Sequence, residues 1–332
     1  MPANRQFLLD QIPQGRLEAG MFRKVETAAP APGPGQALLR TLYISLDAAN
    51  RAWMQGATYR SALSAGQVMA GGALCEVVDP NGSHLSAGDL VFADAGWQDY
   101  ACVDAAGLSV LPRLEPLTHL LSVYGVAGLT AYFGLLNCAS PAPGETVVIS
   151  AAAGSVGSIA GQIARVRGCR VIGIAGGAAK CDWLVRELGF DAALDYKAGD
   201  LRRQLRAAAP QGVDVYFDNV GGDIFETVLF AMRNFGRIAC CGAVSSYDGA
   251  PPAHGPRGVP GLIVTRRLNL RGFIVSDFDD ERTRALADLQ SWVADGQIKV
   301  VEDVIEGFDA LPDALIGLLN GENLGKRMVR VS

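Results

Sequence analysis

Residues 146–167, TVVISAAAGSVGSIAGQIARVR, pass from β-branched residues through small ones into a helical pattern with Ile159, Ile163 and Val166 on one face. A short apolar run bounded by a turn reads as a buried strand, and the spacing after it as an amphipathic helix. A strand that feeds such a helix is half of a parallel crossover, which commits the surrounding chain to a parallel sheet with helices on its faces. The texture recurs from Leu120 onward. Segments 146–150, 170–174, 192–195, 213–217, 237–241 and 269–275 read as strands, and 155–167, 180–188, 223–234 and 280–294 as helices. Gly189 and Gly236 suit the C-caps of two of these helices. The expectation is an α/β fold with a doubly wound parallel sheet.

The first 120 residues read differently. Turn formers such as APAPGPGQ, DPNGSHLSAGD and ADAGWQ separate ALLRTLYISL, GGALCEVV, DLVFA and DYACVD, the pattern of short antiparallel strands in a small barrel or sandwich. The tail FDALPDALIGLLNGENLGKRMVRVS adds a helix and a strand, expected to return to this first layer. At 332 residues the chain exceeds what one core usually serves. We therefore expect two domains, 1–120 completed by 302–332, and 121–301.

The formal charge of −5 is spread without a basic block, which argues against nucleic acid or anionic membrane and for a small-molecule partner. No long apolar run or N-terminal export pattern is present. Seven cysteines without C-x-x-C spacing suggest neither disulfides nor a zinc knuckle and point to the cytoplasm. Adjacent Cys240 and Cys241 would face opposite sides of a strand. His84, His119 and His254 stand apart from cysteine or acidic ligand spacing, so no metal site is expected.

Gly154-x-x-Gly157 lies between strand and helix, where backbone N–H groups at the helix start form an anion site. The strict dinucleotide fingerprint wants glycine where Ala152 stands, so a purely structural turn remains open. A nucleophile elbow also remains open, with Ser155 as nucleophile and His254 as its base. The next crossover, GIAGGAAK, separates these readings. No carboxylate stands there to accept ribose hydroxyls or repel a 2′-phosphate, Gly176 and its small neighbours leave room, and Lys180 supplies a cation. That combination implies NADP(H).

The turn PGPGQALLR, the run from GLTAYFGLLNCASPAPGETVVISAAAGSVG to GFDAALDYK, the run VDVYFDNVGGDIFETVL and the closing NGENLGK together resemble the zinc-independent medium-chain dehydrogenase/reductases. Within them the likeness is to the prostaglandin reductase, leukotriene B4 12-hydroxydehydrogenase and NADPH-dependent curcumin or alkenal reductase branch. The resemblance implies a GroES-like β-barrel, a Rossmann domain and a cofactor in the cleft between them. It implies that Gly154, Ser155, Val156 and Gly157 meet the pyrophosphate, and that Lys180 and Tyr196 meet the 2′-phosphate. Around the nicotinamide it implies Asn219, then Cys241, Gly242, Ala243 and Ser245, then Phe273, Ile274 and Val275, and finally Asn323. Similar proteins pair their last Rossmann strand across a two-fold axis, which makes LRGFIV the expected homodimer strand.

Without a metal to stabilise an alkoxide, reduction of a conjugated C=C is the favoured chemistry. Hydride delivered to the β-carbon of an α,β-unsaturated ketone or aldehyde places charge on a carbonyl oxygen, which hydrogen bonds stabilise. The resemblance nominates Tyr247 as the group at that oxygen or as proton donor to the α-carbon, since a phenol, protonated at neutral pH, can act as a general acid. Quinone reduction is the alternative chemistry, and NADPH binding with little turnover the alternative class. Two features depart from the family. The barrel motif that usually reads Asp-Pro-Tyr-Met-Arg is DAANR here, with Ala49 in the tyrosine position, and Trp53, Met54 and Tyr59 are candidates to rebuild that wall. The Gly/Pro-rich stretch 245–267 fits a lid and equally a plain surface excursion, with Arg257 facing the entrance in the first case.

Overall fold

The computed structural model describes residues 2–249 and 254–332. Ala3–Leu9 (β1) and Phe22–Ala28 (β2) pair as an antiparallel ribbon. They are followed by Gln36–Ser45 (β3), the short helix Ala49–Ala52 (α1), Ala73–Asp79 (β4), Leu90–Ala93 (β5), Tyr100–Asp104 (β6) and Val110–Leu111 (β7). Side chains of a strand alternate between faces, and β3 accordingly buries Ala37, Leu39 and Thr41. A register shift between Thr41 and Tyr43 against β4 then turns Ile44 inward. Trp97 anchors this core, stacked on Phe22 at 5.1 Å and met edge-on by Phe7 at 6.3 Å.

The crossover half begins with Val126–Phe133 (α2). It continues as Thr146–Ile149 (β8), Ser155–Val166 (α3), Arg170–Ala175 (β9), Ala178–Arg186 (α4), Ala192–Asp195 (β10), Leu201–Ala208 (α5) and Val213–Asp218 (β11). Gly222–Leu229 (α6), Met232–Cys240 (β12), Val259–Arg266 (α7), Asn269–Gly272 (β13) and Arg282–Ala294 (α8) complete it. The strands are parallel in the order β10-β9-β8-β11-β12-β13. Helices cover both faces. Val147 and Ile149 pack into one apolar cluster and Val148 into the other, which is why these strands read as unbroken hydrophobic runs. Cys240 and Cys241 likewise join opposite clusters. Strand order reverses between β8 and β11, and a crevice opens outside the carboxyl ends of such a pair.

Glu302–Glu306 (β14), Leu311–Leu319 (α9) and Lys326–Arg330 (β15) end the chain. β15 pairs antiparallel with β3 and parallel with β14, giving a second sheet ordered β14-β15-β3-β4-β5-β7, with β6 also on β3. The last strand therefore lies in the N-terminal layer. Phe308 stacks on Phe7 at 5.2 Å and joins the two ends of the chain in one core.

Three expectations are corrected. The helix read over 223–234 stops at Leu229, and the following strand begins at Met232 instead of 237. Phe225, Val228, Leu229 and Met232 are all buried at helical spacing, so the pattern runs on after the backbone has changed. Val213 pairs with Met232 but Val215 with Arg237, and this bulge absorbs the extra residues, with Phe235 rather than Gly236 at positive φ. The strand read over 269–275 ends at Gly272, and Val275–Glu281 is a 3₁₀ helix into which Ile274 leads. The supposed lid contains α7 from Val259 on, with Pro260 in its first turn, and residues 250–253 of that stretch lie outside the described residues.

Candidate active site

A cleft of about 560 Å³ opens outside the carboxyl ends of β8 and β11. One wall is the turn from Ala151 to Gly154 and the start of α3, with Ser155, Val156 and Gly157 all facing the cleft. The first N–H groups of a helix have no partner within it, and α3 carries no acidic residue in its first turn to take them. A side chain at Gly157 would lie 2.9 Å from Ala152 Cα and closer still to Ala151 O, so this wall tolerates bare backbone only. Ser155 Oγ is buried without a hydrogen-bond partner. Among the described residues no base contacts it, and His254 is exposed with Nδ1 beside Gly255 O at 3.2 Å, an arrangement that gives a nucleophile elbow no support.

The second crossover forms the next wall. Gly176, Lys180, Tyr196 and Lys197 face the cleft. Tyr196 and Lys197 cross directly over Gly176, where a Cβ would lie 3.0 Å from the Tyr196 hydroxyl and 2.9 Å from Lys197 Cε. Asp195 ends β10 and its Oδ1 bridges to the second crossover, accepting from Gly177 N at 2.8 Å as well as from Lys197 N of its own loop at 2.9 Å. Lys180 Nζ donates to Gly321 O and Asn323 O, both at 2.6 Å. Partial burial, with Lys197 and Arg327 as like-charged neighbours, holds its pKa below the ordinary lysine value. Lys180 thus ties the second crossover to the 321–325 segment, which Gly325 N ties back to Ala153 O at 2.9 Å.

A third wall comes from the end of β11. Buried Asp218 accepts from Tyr216 Oη at 2.6 Å, Ser150 Oγ at 3.1 Å and the N–H groups of Val220 and Gly221 at 3.0 and 3.1 Å. The network fixes Asn219, whose Nδ2 donates to Ser150 O at 2.7 Å, at the cleft surface. Ser245 Oγ donates to Val220 O at 2.6 Å, and Asn323 Nδ2 to Gly325 O at 2.9 Å. Between the cleft residues Ser245 and Asp248, Tyr247 folds back so that its hydroxyl oxygen accepts from Ala243 N at 3.1 Å. A group accepting there keeps its own proton free to donate. Burial pushes the Cys241 thiol up to about 12, so it stays protonated.

The barrel closes the cleft with Leu46, Asp47 and Ala48. Burial would raise the Asp47 pKa, but Lys326 Nζ at 2.5 Å and Ser45 Oγ at 2.6 Å outweigh it and hold the carboxyl below its ordinary range. Of the proposed replacement wall, Met54 is buried in the barrel core, while Tyr59 is exposed and meets Trp53 edge to face at 6.3 Å. Arg60 stacks on Trp53 at 4.5 Å.

The structure thus gathers Gly154, Ser155, Val156, Gly157, Gly176, Lys180, Tyr196, Asn219, Ser245 and Asn323 around one cleft. Cys241, Phe273 and Val275 pack against the Rossmann core instead, Phe273 edge-on to Phe217 at 6.4 Å, and Ile274 N is engaged by Asp277 Oδ2. Gly242 and Ala243 sit behind the cleft, beneath the Tyr247 hydroxyl. Arg257 is held by Glu226, with Nη2 3.1 Å from Oε1, and tethers its loop to α6 rather than facing an entrance. Lys197, Arg16, Asp47 and Asp248 were missed as cleft residues. The DYK triplet held a signal for Lys197 and the DAANR motif one for Asp47, while nothing local marked Arg16 or Asp248. Among the described residues no group of three or more His, Cys, Asp and Glu side chains converges as a metal site would, and no helix is long and apolar enough to cross a membrane.

A family described as the N-terminal domain of oxidoreductase matches residues 5–111, and one described as zinc-binding dehydrogenase matches residues 155–291. The chain is 43% identical over 335 residues to a putative NADP-dependent oxidoreductase, YfmJ, of Bacillus subtilis, covering 99% of this chain and 98% of that one. It is 39% identical to the NADPH-dependent curcumin reductase of Escherichia coli, covering 99% and 97%. The crystal structure of CurA from Vibrio vulnificus in complex with NADPH superposes with a TM-score of 0.94 at 38% identity, covering 99% of each chain. The chain belongs to the medium-chain dehydrogenase/reductases, in the branch that holds the curcumin, prostaglandin and alkenal reductases.

Proposed function

We propose that this protein is an NADPH-dependent reductase of the C=C bond in α,β-unsaturated ketones and aldehydes. The observation that carries the reading is the convergence, in one cleft, of the start of α3 with Lys180, Tyr196 and Lys197, while Asp195, the carboxylate that reaches that crossover, has its Oδ1 taken by the N–H groups of Gly177 and Lys197. The residues fit the cofactor. Buried Ser155 Oγ lacks a partner where a phosphate oxygen would supply one, and Gly157 lets the start of α3 close on the Ala151–Ala152 backbone, which sets its first N–H groups at the cleft. Gly154, Ser155, Val156 and Gly157 would hold the pyrophosphate, Lys180, Tyr196 and Lys197 the 2′-phosphate, and Asn219, Ser245 and Asn323 the nicotinamide half.

Bound there, NADPH supplies a hydride to the β-carbon of the substrate. Tyr247 is the group we assign to the far end of the conjugated system. Ala243 N–H donates to its oxygen, which leaves the phenol proton for the substrate, either for the carbonyl oxygen as a hydrogen bond or for the α-carbon as the balancing proton. The two-part core supports assigning residues 1–120 with 302–332 to the substrate side and 121–301 to the cofactor side. We further assign a homodimer through the outer edge of β13, which ends its sheet, and a cytoplasmic location, for which seven unpaired cysteines speak. Light scattering at a single-chain mass would overturn the dimer, and recovery in an oxidising compartment the location.

The test is to offer NADPH with a graded series of enones and, separately, a quinone. Cofactor oxidation with the enone, with deuterium from labelled NADPH found on the β-carbon of a saturated ketone, is the expected result. Oxidation by quinone alone, or binding without oxidation by any acceptor, would overturn the reading.

A further inference from the structure

We propose that Arg16 is a second phosphate-binding residue, presented across the cleft by the Arg51–Asp248 ion pair to the diphosphate of the dinucleotide. The proposal rests on the cofactor reading above and extends it to a residue outside the Rossmann half. Arg16 is exposed, lies in an irregular segment before β2, and lines the same cleft as the start of α3. It makes no ion pair with any described residue. Of the cleft carboxylates, Asp47 is taken by Lys326 and Asp248 by Arg51, and Asp223 is not paired with it.

What distinguishes Arg16 from an ordinary surface arginine is its mounting. Arg51, on α1, is 1% exposed. Its Nη2 donates to Gly15 O at 2.6 Å and its Nε to Asp248 Oδ1 at 2.9 Å. The same Asp248 oxygen accepts from Leu17 N at 2.8 Å. The peptide group before Arg16 is therefore held by the cation of one ion pair, and the peptide group after it by the anion of the same pair. Gln55 Nε2, one turn beyond Arg51, fixes the loop further by donating to Tyr247 O at 2.8 Å. Burying such a pair costs desolvation, and here Arg51 Nη1 is buried with no partner, so the arrangement is poor as a stabilising device. It serves as a rigid mount. Ordering an arginine backbone beforehand reduces what binding must spend on it.

The occupant follows from chemistry. A diphosphate held on the N–H groups at the start of α3 would share the cleft with the Arg16 guanidinium, whose planar fork suits two oxygens of a phosphate group. Lys180 serves the extra phosphate of NADPH; Arg16 would serve the group that NADPH and NADH share.

Calorimetry of NADPH and NADH binding to wild type, Arg16→Ala and Arg16→Lys tests this, since the residue is exposed and its loss leaves the core untouched. Arg16→Ala should weaken both dinucleotides about tenfold, with Arg16→Lys recovering part of the loss. Unchanged affinity, or a loss confined to NADPH, overturns the assignment, as does a defect seen only as a raised KM for an enone bearing a carboxylate. If wild type binds neither dinucleotide, the cofactor reading falls as well. The mount is read by a cycle. Asp248→Asn should weaken NADPH binding in wild type and cost nothing further in the Arg16→Ala background, and equal losses in both backgrounds overturn it.

Discussion

The two sides of the cleft are built by opposite means. On the Rossmann side the surface rests on close backbone packing, at the helix start by Gly157 and at the second crossover by Gly176, where a Cβ finds no room. On the barrel side the surface is held by charged side chains that reach between segments distant in sequence, Asp47 to Lys326 and Arg51 to Asp248. A wall of backbone is fixed by local sequence and fails all at once when a methyl intrudes. A wall of cross-links is fixed by distant partners and loosens one contact at a time. The largest effect is therefore expected from Gly157→Ala, whose new methyl meets two backbone atoms that cannot move independently of β8. Thermal unfolding should show a loss of about 3 kcal/mol, with dinucleotide binding lost in parallel. Stability within about 0.5 kcal/mol of wild type would mean the turn yields, and would break the contrast.

Tyr247 stands where the halves meet: it follows β12 in the Rossmann half, and Gln55 of the barrel half donates to its carbonyl. Tyr247→Phe removes one oxygen and leaves the ring, so folding and NADPH affinity should hold while kcat for an enone falls about 100-fold. Loss of NADPH affinity with kcat unchanged would make Tyr247 a cover for the cofactor instead of a proton donor.

The same division explains what the sequence disclosed. The β-branched run before Gly154, the small residues after Ile174 and the period of α3 are local, and from them the parallel sheet, its glycine turn and the cation at Lys180 could be read. The break after Leu229 was hidden because Met232 keeps the helical spacing of buried residues although it lies in a strand. Phe273 and Val275 look like part of a strand reaching the cofactor, yet the chain turns at Gly272 and spends them on the core. Arg16, Arg51 and Asp248 become a unit only in space: Arg51 and Asp248 are 197 residues apart, Leu17 and Asp248 231. No window along the chain contains them together.

Lys180 sits where the two kinds of wall meet, on a Rossmann helix but bonded to the carbonyls of Gly321 and Asn323. Lys180→Ala should weaken NADPH about tenfold, as loss of a charge-assisted hydrogen bond does, and NADH hardly at all. Equal losses for both would show that its strap to the 321–323 segment matters more than its charge. Because its pKa in the free protein lies below the ordinary 10.5, the preference for NADPH over NADH should narrow as pH rises toward that value, by loss of the lysine proton.

The smallest effect is expected at Ser155, and it separates a ligand-shaped cavity from a flaw in packing. A buried hydroxyl without a partner costs free energy in the free protein, so Ser155→Ala should leave thermal stability unchanged or slightly raised. If that hydroxyl waits for a phosphate oxygen, the same variant should bind NADPH and NADH severalfold more weakly, about 1 kcal/mol for one hydrogen bond. The opposite signs are what make the measurement decisive. A variant more stable and equally tight-binding would show that the backbone N–H groups of α3 hold the diphosphate without help, and the Rossmann wall would then be built of backbone alone.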